Sequence, residues 1–248
     1  MNDSMNRGGN SPQVAQVAPG PHGEAETGGR ASCRTPRGGG GFWAMPTKPA
    51  KSSGTCRMFE SDLIERFSRI HPITPFVAWV PVALYVIHRS YARHDLAVPG
   101  IAGMIALGVL AWTLSEYLLH RYVFHWKRDT AAGRRIHFLL HGVHHDFPND
   151  GDRLVMPLGF SIPLSVVFYS LFHFTMGISL GEPFFAGFVF GYLMYDGTHY
   201  AVHHFKARTR LGKWVKRHHM LHHHLDHDGG FGVSSPLWDL ILRTMPEP

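Results

Sequence analysis

The sequence predicts an all-α integral membrane protein, with about four transmembrane helices and a histidine-rich site for two metals on one side of them. Three observations carry this expectation. Apolar runs recur through residues 73–194 at lengths suited to membrane helices. A surplus of histidine, 20 in all, gathers mainly beside those runs and at helical spacing. The Lys and Arg residues flank the runs, as topology signals do, instead of forming a soluble patch.

Along the chain, residues 1–57 are rich in Gly, Pro, Ser and Arg, with GGGG at 38–41 and no apolar period. Such composition cannot bury enough surface to offset chain entropy, so this segment is expected to be disordered and residues 58–248 to form the membrane domain. Met58 opens a cleaner beginning, MFESDLIERFSRIHP, and a start of translation near Met58 instead of Met1 is one hypothesis. A natural peptide upstream of Met58 would sink it. Residues 59–70 place Leu63, Ile64, Phe67 and Ile70 at helical spacing, the pattern of an amphipathic helix in the membrane interface.

The first apolar run, 73–87, contains Pro75 and Pro81 and is short against the about 20 residues a span needs. The second, 96–119, is long enough outright. Its Pro99, Gly100, Gly103 and Gly108 suit close helix packing. The third, 156–176, and the fourth, 184–194, are divided by GISLGEP, a turn signal that makes them a helical hairpin. Loop 120–156 and tail 199–248 then share one side. Both are rich in Lys and Arg while the 177–183 turn has none, so the histidine side is expected to be cytoplasmic. The aromatics Trp112, Tyr117, Tyr122, Phe124 and Trp126 read as an interfacial belt.

Four histidine groups lie on that side: His120 and His125; His141, His144 and His145; His199 and His203; and His219, His222 and His223. Positions i, i+3 and i+4 share a helix face, so the second and last groups each converge on one place. His120 and His125 are i, i+5 and stand about 140° apart on a regular helix. They either serve different metals or sit where the helix ends. Ten imidazoles are too many for one ion, and five on each of two is natural. Neutral imidazole suits iron, zinc, copper and nickel. The two cysteines, Cys33 and Cys56, both fall in the polar N-terminal region, so no cysteine-based zinc site is available.

Two metals at a membrane surface suggest reduction of dioxygen and attack on an unactivated lipid C–H bond, chemistry no side chain supplies alone. No catalytic residue is expected beyond the metal centre itself. Carboxylates commonly fix the tautomer of a ligating histidine. Glu116, Asp196 and, more weakly, Asp239 are placed for that role, and His137, one turn before His141, is a further supporting candidate. The net charge of +6 does not indicate nucleic acid, because no recognition motif accompanies it.

The stretches WTLSEYLLHRYVFHW, HFLLHGVHHDFPNDGDRLVMP, YDGTHYAVHH and GFGVSSPLWD resemble the fatty acid hydroxylase superfamily, and within it the fatty acid 2-hydroxylases of sphingolipid acyl chains. The resemblance covers residues 112–244. It implies the ten histidines as metal ligands, iron in the active enzyme with zinc possible after purification, and four spans under a cytosolic cap. It also implies dioxygen as co-substrate and a membrane lipid substrate, a free fatty acyl group or a ceramide. Many fungal and animal members carry a fused haem domain with a His-Pro-Gly-Gly loop, which is missing from this sequence. Electrons are therefore expected from a separate protein such as a ferredoxin or a b-type cytochrome. The membrane would be a bacterial inner membrane or the endoplasmic reticulum. A sterol or carotenoid oxidase of the same superfamily is the near alternative, and a histidine-rich metal transporter or storage protein is the rival from another class. Acyl length, stereochemistry and oligomeric state are not written in the sequence.

Overall fold

Local signals set most helix starts in the computed structural model, which describes residues 54–93, 96–126 and 128–247. Ser61 caps α1 (Asp62–Phe67), Thr130 caps α4 (Ala131–His137) and Thr209 caps α7 (Arg210–His224). Each hydroxyl accepts a backbone N–H of the first turn, which would otherwise lack a partner. Pro99 sits in the first turn of α3 (Val98–Leu119), where its missing N–H costs nothing. The remaining helices are α2 (Thr74–Arg93), the short α5 (Val143–Asp146), the long α6 (Leu158–His204) and α8 (Leu237–Leu242). No strand occurs among the described residues.

Among the described residues two helical segments, not four, are long and apolar enough to cross a membrane: Val98–Phe124 and the 54-residue Gly151–His204. The difference has two causes. Pro81, His88, Arg89 and Ser90 dilute the apolar content of α2, although it runs for 20 residues. The two expected runs at 156–176 and 184–194 form one continuous helical stretch. Within it Gly177 alone leaves helical geometry, at φ 73° and ψ 166°, a conformation that glycine adopts without steric cost. The turn is thus one residue instead of seven. The chain still doubles back there. The Phe172 ring lies 4.8 Å from Phe184 and 5.2 Å from Phe188, and Tyr169 lies 5.1 Å from Phe185.

α3 packs against the second limb of this hairpin at backbone distance. A Cβ on Gly187 would stand 2.0 Å from the Ile105 carbonyl oxygen, and one on Gly108 would stand 2.1 Å from that of Phe184. Gly103, by contrast, faces open space. α2 completes the core, with Trp79, Ala83 and Val86 against Phe185, Val189 and Tyr192. Arg89 forms an ion pair with the buried Glu182 and donates to the Tyr169 hydroxyl at 2.9 Å, which ties α2 to both limbs. Trp112 and Tyr117 do not join an aromatic belt. Both are buried: Trp112 packs edge-on against Phe188 at 5.0 Å, and the Tyr117 hydroxyl meets Thr244 at 3.0 Å.

The interfacial helix is shorter than the 59–70 pattern predicts. Its Glu65 turns inward, accepting the Met58 and Phe59 N–H groups at 3.0 and 3.1 Å and pairing with Arg69 and Arg153. Its Leu63, Ile64 and Phe67 stay exposed. Packing on the body begins upstream of Met58: Cys56 is buried, and its carbonyl accepts from Arg153 at 3.0 Å. Residues 1–53 of the segment expected to be disordered lie outside the described residues.

Candidate metal centre

The histidines reach their places through two departures from α-helical winding. α3 passes directly into a π-helix, His120–Phe124, and the His125 N–H bonds back to the His120 carbonyl at 3.1 Å. A π turn takes i→i+5 bonds, so it brings His120 and His125 onto one face. The i, i+5 pair therefore faces a single site, not two different ones. A second π-helix, Phe138–Gly142, carries His141 and feeds α5, which presents His144 and His145. His199 and His203 lie one turn apart at the end of α6, and α7 supplies His219, His222 and His223.

These ten imidazoles gather as two groups of five. His120, His125, His141, His145 and His222 form one; His144, His199, His203, His219 and His223 form the other. Within each group the ring nitrogens lie within 4.8 Å of one another, and either group could hold a metal ion. Neighbouring residues on a helix point about 100° apart, so His144–His145 and His222–His223 each serve both groups and place them side by side. The His145 and His223 rings stack at 4.2 Å across the boundary.

The donor chemistry fits a cation. His120 Nδ1 donates to the Phe231 carbonyl at 2.6 Å and His222 Nδ1 to the Gly229 carbonyl at 2.7 Å. The direction is fixed because a carbonyl can only accept. Both rings therefore turn a bare Nε2 lone pair into the first group. His120 Nε2 faces His141 Nε2 at 3.0 Å, while the buried Nε2 of His222 and both nitrogens of His145 meet no hydrogen-bond partner. In the second group the Nε2 atoms of His199 and His144 stand 2.8 Å apart, as do those of His203 and His219. Burial, reinforced by repulsion from neighbouring imidazoles, holds His141, His144, His145, His219, His222 and His223 well below the usual imidazole range. Neutral rings with converging lone pairs are the state in which histidine binds metal.

The supporting residues act through backbone more than through the rings. The hydrogen bonds of Glu116 go to loop 229–234. Its carboxylate accepts the Val233 and Ser234 N–H groups at 2.6 and 2.7 Å and the Ser234 hydroxyl at 2.5 Å. Asp239 accepts the Phe231 and Gly232 N–H groups at 2.9 and 2.7 Å, and pairs with His218 at 3.1 Å. Together they fix loop 229–234, whose carbonyls orient His120 and His222. His137 lies outside both groups and donates to the Phe124 carbonyl at 2.8 Å, which pins the first π-helix. Asp196 is fully buried, and its carboxylate makes no hydrogen bond to an imidazole among the described residues. The two carbonyl acceptors and the buried His218–Asp239 pair were not anticipated. The available signal was the glycine pattern in GFGVSSPLWD: Gly230 has φ 76°, and a Cβ on Gly232 would lie 2.2 Å from the Ser235 carbonyl.

Fold and site together define an all-helical, membrane-associated protein with two adjacent sites of five imidazoles each, able to coordinate metal. Residues 105–244 match the fatty acid hydroxylase family, and the chain belongs to it. It is closely related to the fatty acid and sphingolipid 2-hydroxylases. It is 40% identical over 190 residues to a dihydroceramide fatty acyl 2-hydroxylase of Arabidopsis thaliana, covering 77% of this chain and 80% of that relative. It is 36% identical over 214 residues to the fatty acid 2-hydroxylase of Homo sapiens, covering 76% of this chain and 56% of that longer protein. Among solved structures it resembles the hydroxylase domain of full-length Scs7p, with a TM-score of 0.71 at 34% identity, over 75% of this chain and 71% of that one.

Proposed function

We propose that this chain is a di-metal monooxygenase that hydroxylates the 2-position of long fatty acyl groups, free or amide-linked in a ceramide. The observation that carries this reading is the pair of five-imidazole groups in a chain closely related to fatty acyl 2-hydroxylases. The reaction inserts one oxygen atom of dioxygen into the C2–H bond; two electrons and two protons reduce the other atom to water. Iron ions held by the two histidine groups would supply the activation of dioxygen that no side chain can perform. The ten histidines are proposed as the ligands, with His120 and His222 held in the ligating tautomer by loop 229–234.

The spans position the acyl chain. α2, α3 and the two limbs of α6 are proposed as four membrane crossings, with the histidine end on the cytoplasmic side. An apolar cleft among the helices is lined by Trp112, Met156, Phe168, Phe188, Val189 and Tyr192. Tyr195 links this cleft to the second histidine group: its ring is 6.1 Å from Trp112 and 5.5 Å from His199. The cleft is small, about 300 Å³, so only part of an acyl chain would lie in it, out of water and with its carboxyl end toward the histidine groups. Electrons come from a separate carrier protein.

Lipid mass spectrometry of a host expressing the chain tests this reading. One added oxygen at C2 of acyl chains is expected with the natural sequence, and none with His222→Ala or His223→Ala. Hydroxylation that persists in both variants would refute the ligand assignment. No product from metal-loaded protein supplied with a reductant would refute the reaction.

A further inference from the structure

The histidine-bearing face of α7 rests on the end of α6, where His219 Nε2 stands 2.8 Å from His203 Nε2 and the His219 ring lies 4.7 Å from His199. The opposite face therefore points away from the apolar helices. Arg210, Lys213, Trp214 and Arg217 occupy it at i, i+3, i+4 and i+7, one continuous stripe. All four are exposed, Trp214 at 43%. Lys206 and Arg208, also exposed, extend the positive field just before the helix, and no Asp or Glu occurs from residue 197 to 225. None of the four makes an ion pair among the described residues.

From this stripe we infer a docking site for an acidic, soluble one-electron carrier protein. The inference rests on the monooxygenase reading, whose stoichiometry needs two electrons from outside, which metal ions would accept one at a time. Three features select such a partner. The charge is of one sign and complements an acidic surface, which steers encounter. An aromatic among arginines is the usual make-up of a contact patch, and a patch this small suits the brief, limited interfaces of redox partners. The stripe is also close to the metals: Trp214 and His219 are five residues apart on one helix, roughly 8 Å along its axis. The stripe lies on the face of α7 opposite the one that rests on the end of α6, and a headgroup contact is the outcome the anionic-lipid arm of the test detects.

The test uses the full-length, metal-loaded chain in neutral-lipid nanodiscs, with an acidic [2Fe–2S] ferredoxin as the probe. Wild type is expected to bind it with an affinity that falls as salt is raised. The double variant Lys213→Glu/Arg217→Glu should weaken binding about tenfold, and Trp214→Ala should weaken it with little change in salt dependence. Ferredoxin-driven hydroxylation should fall in parallel, while dithionite-driven hydroxylation stays at the wild-type rate. Equal ferredoxin binding by wild type and the charge-reversed variant would overturn the inference. So would equal loss of turnover with both reductants, or a deficit that emerges only when anionic lipid replaces neutral lipid, which would make the stripe a headgroup contact. If dithionite drives no hydroxylation in wild type, the monooxygenase reading fails, and the binding measurement still decides whether the stripe docks an acidic carrier.

Discussion

Asp239→Asn separates the two halves of the metal centre. The carboxylate is fully buried and serves four donors: the N–H groups of Phe231 and Gly232, the Thr244 hydroxyl at 2.8 Å, and His218. An amide of the same shape keeps one oxygen, which can still accept from Phe231 and Thr244. Its NH₂ group, however, would confront the Gly232 N–H now held at 2.7 Å, donor against donor. Two bonds to a charged acceptor are lost, at roughly 1.5–3 kcal/mol each. The one from Gly232 belongs to loop 229–234, which is weakened by about that much, and the other is from His218 of α7. That loop orients His120 and His222, both in the first group, and none of its hydrogen bonds among the described residues reaches the second. Loss of such supporting bonds lowers metal affinity about 10- to 100-fold. After dialysis against a weak chelator, plasma mass spectrometry should find about one metal per chain in the variant and two in wild type. Loss of both metals together, or of neither, would refute the claim that Asp239 supports one site through backbone.

Three further outcomes follow from the same structure. Gly187→Leu should abolish the monodisperse folded protein in detergent, since overpacking costs about 1–3 kcal/mol or more and the obstructing atom, the Ile105 oxygen, is backbone. Gly103→Leu, which meets nothing within 4 Å, is the control and should fold normally. Arg153→Ala should remove one of the two cations paired with Glu65 while Arg69 remains, at a cost of about 1.5–3 kcal/mol. Limited proteolysis should then cut within residues 55–70, and an unchanged digest would count against it. The metal-free protein should lose stability in mild acid. The unfolded chain protonates its histidines near the ordinary imidazole value of about 6.5. Burial and mutual repulsion keep the rings of His141, His144, His145, His219, His222 and His223 neutral in the fold. Stability is thus full above that value and is lost as pH falls below it, by roughly 5 kcal/mol between about pH 8 and pH 6 for these groups together. A melting temperature independent of pH across that range would contradict it.

The helical architecture was legible because apolar runs and flanking charges report on membrane helices directly. What misled was the weight of turn residues in GISLGEP. Gly177 alone needs a conformation that favours glycine. Glu182, polar enough to suggest a loop, is buried in the helix because Arg89 of α2 neutralises it, and Pro183 is tolerated within a continuous stretch. Trp112 and Tyr117 were misread for a similar reason. Their composition matches an interfacial belt, but tertiary partners far along the chain, Phe188 and Thr244, draw them inside.

The site was legible at i, i+4 spacing and opaque elsewhere: His141 and His144, and His219 and His222, expected from i, i+3 spacing to converge, fall in different groups. His141 with His145, His199 with His203, and His219 with His223 are i, i+4 pairs, and each pair shares a group. His120 and His125 do not obey that rule, and their divergence of about 140° on a regular helix left two readings, separate metals or a place where the helix ends; α3 does end there, at Leu119. The π turn removes the conflict by lengthening the ring of backbone bonds by one residue, at the place where both rings must face inward. No residue in HRYVF marks that turn by propensity. It is held from outside, by His137 on the Phe124 carbonyl and by the Phe231 carbonyl on His120. Those partners are 13 and 111 residues away. An odd spacing between two metal-binding histidines is therefore evidence about local backbone winding as much as about which metal each one serves.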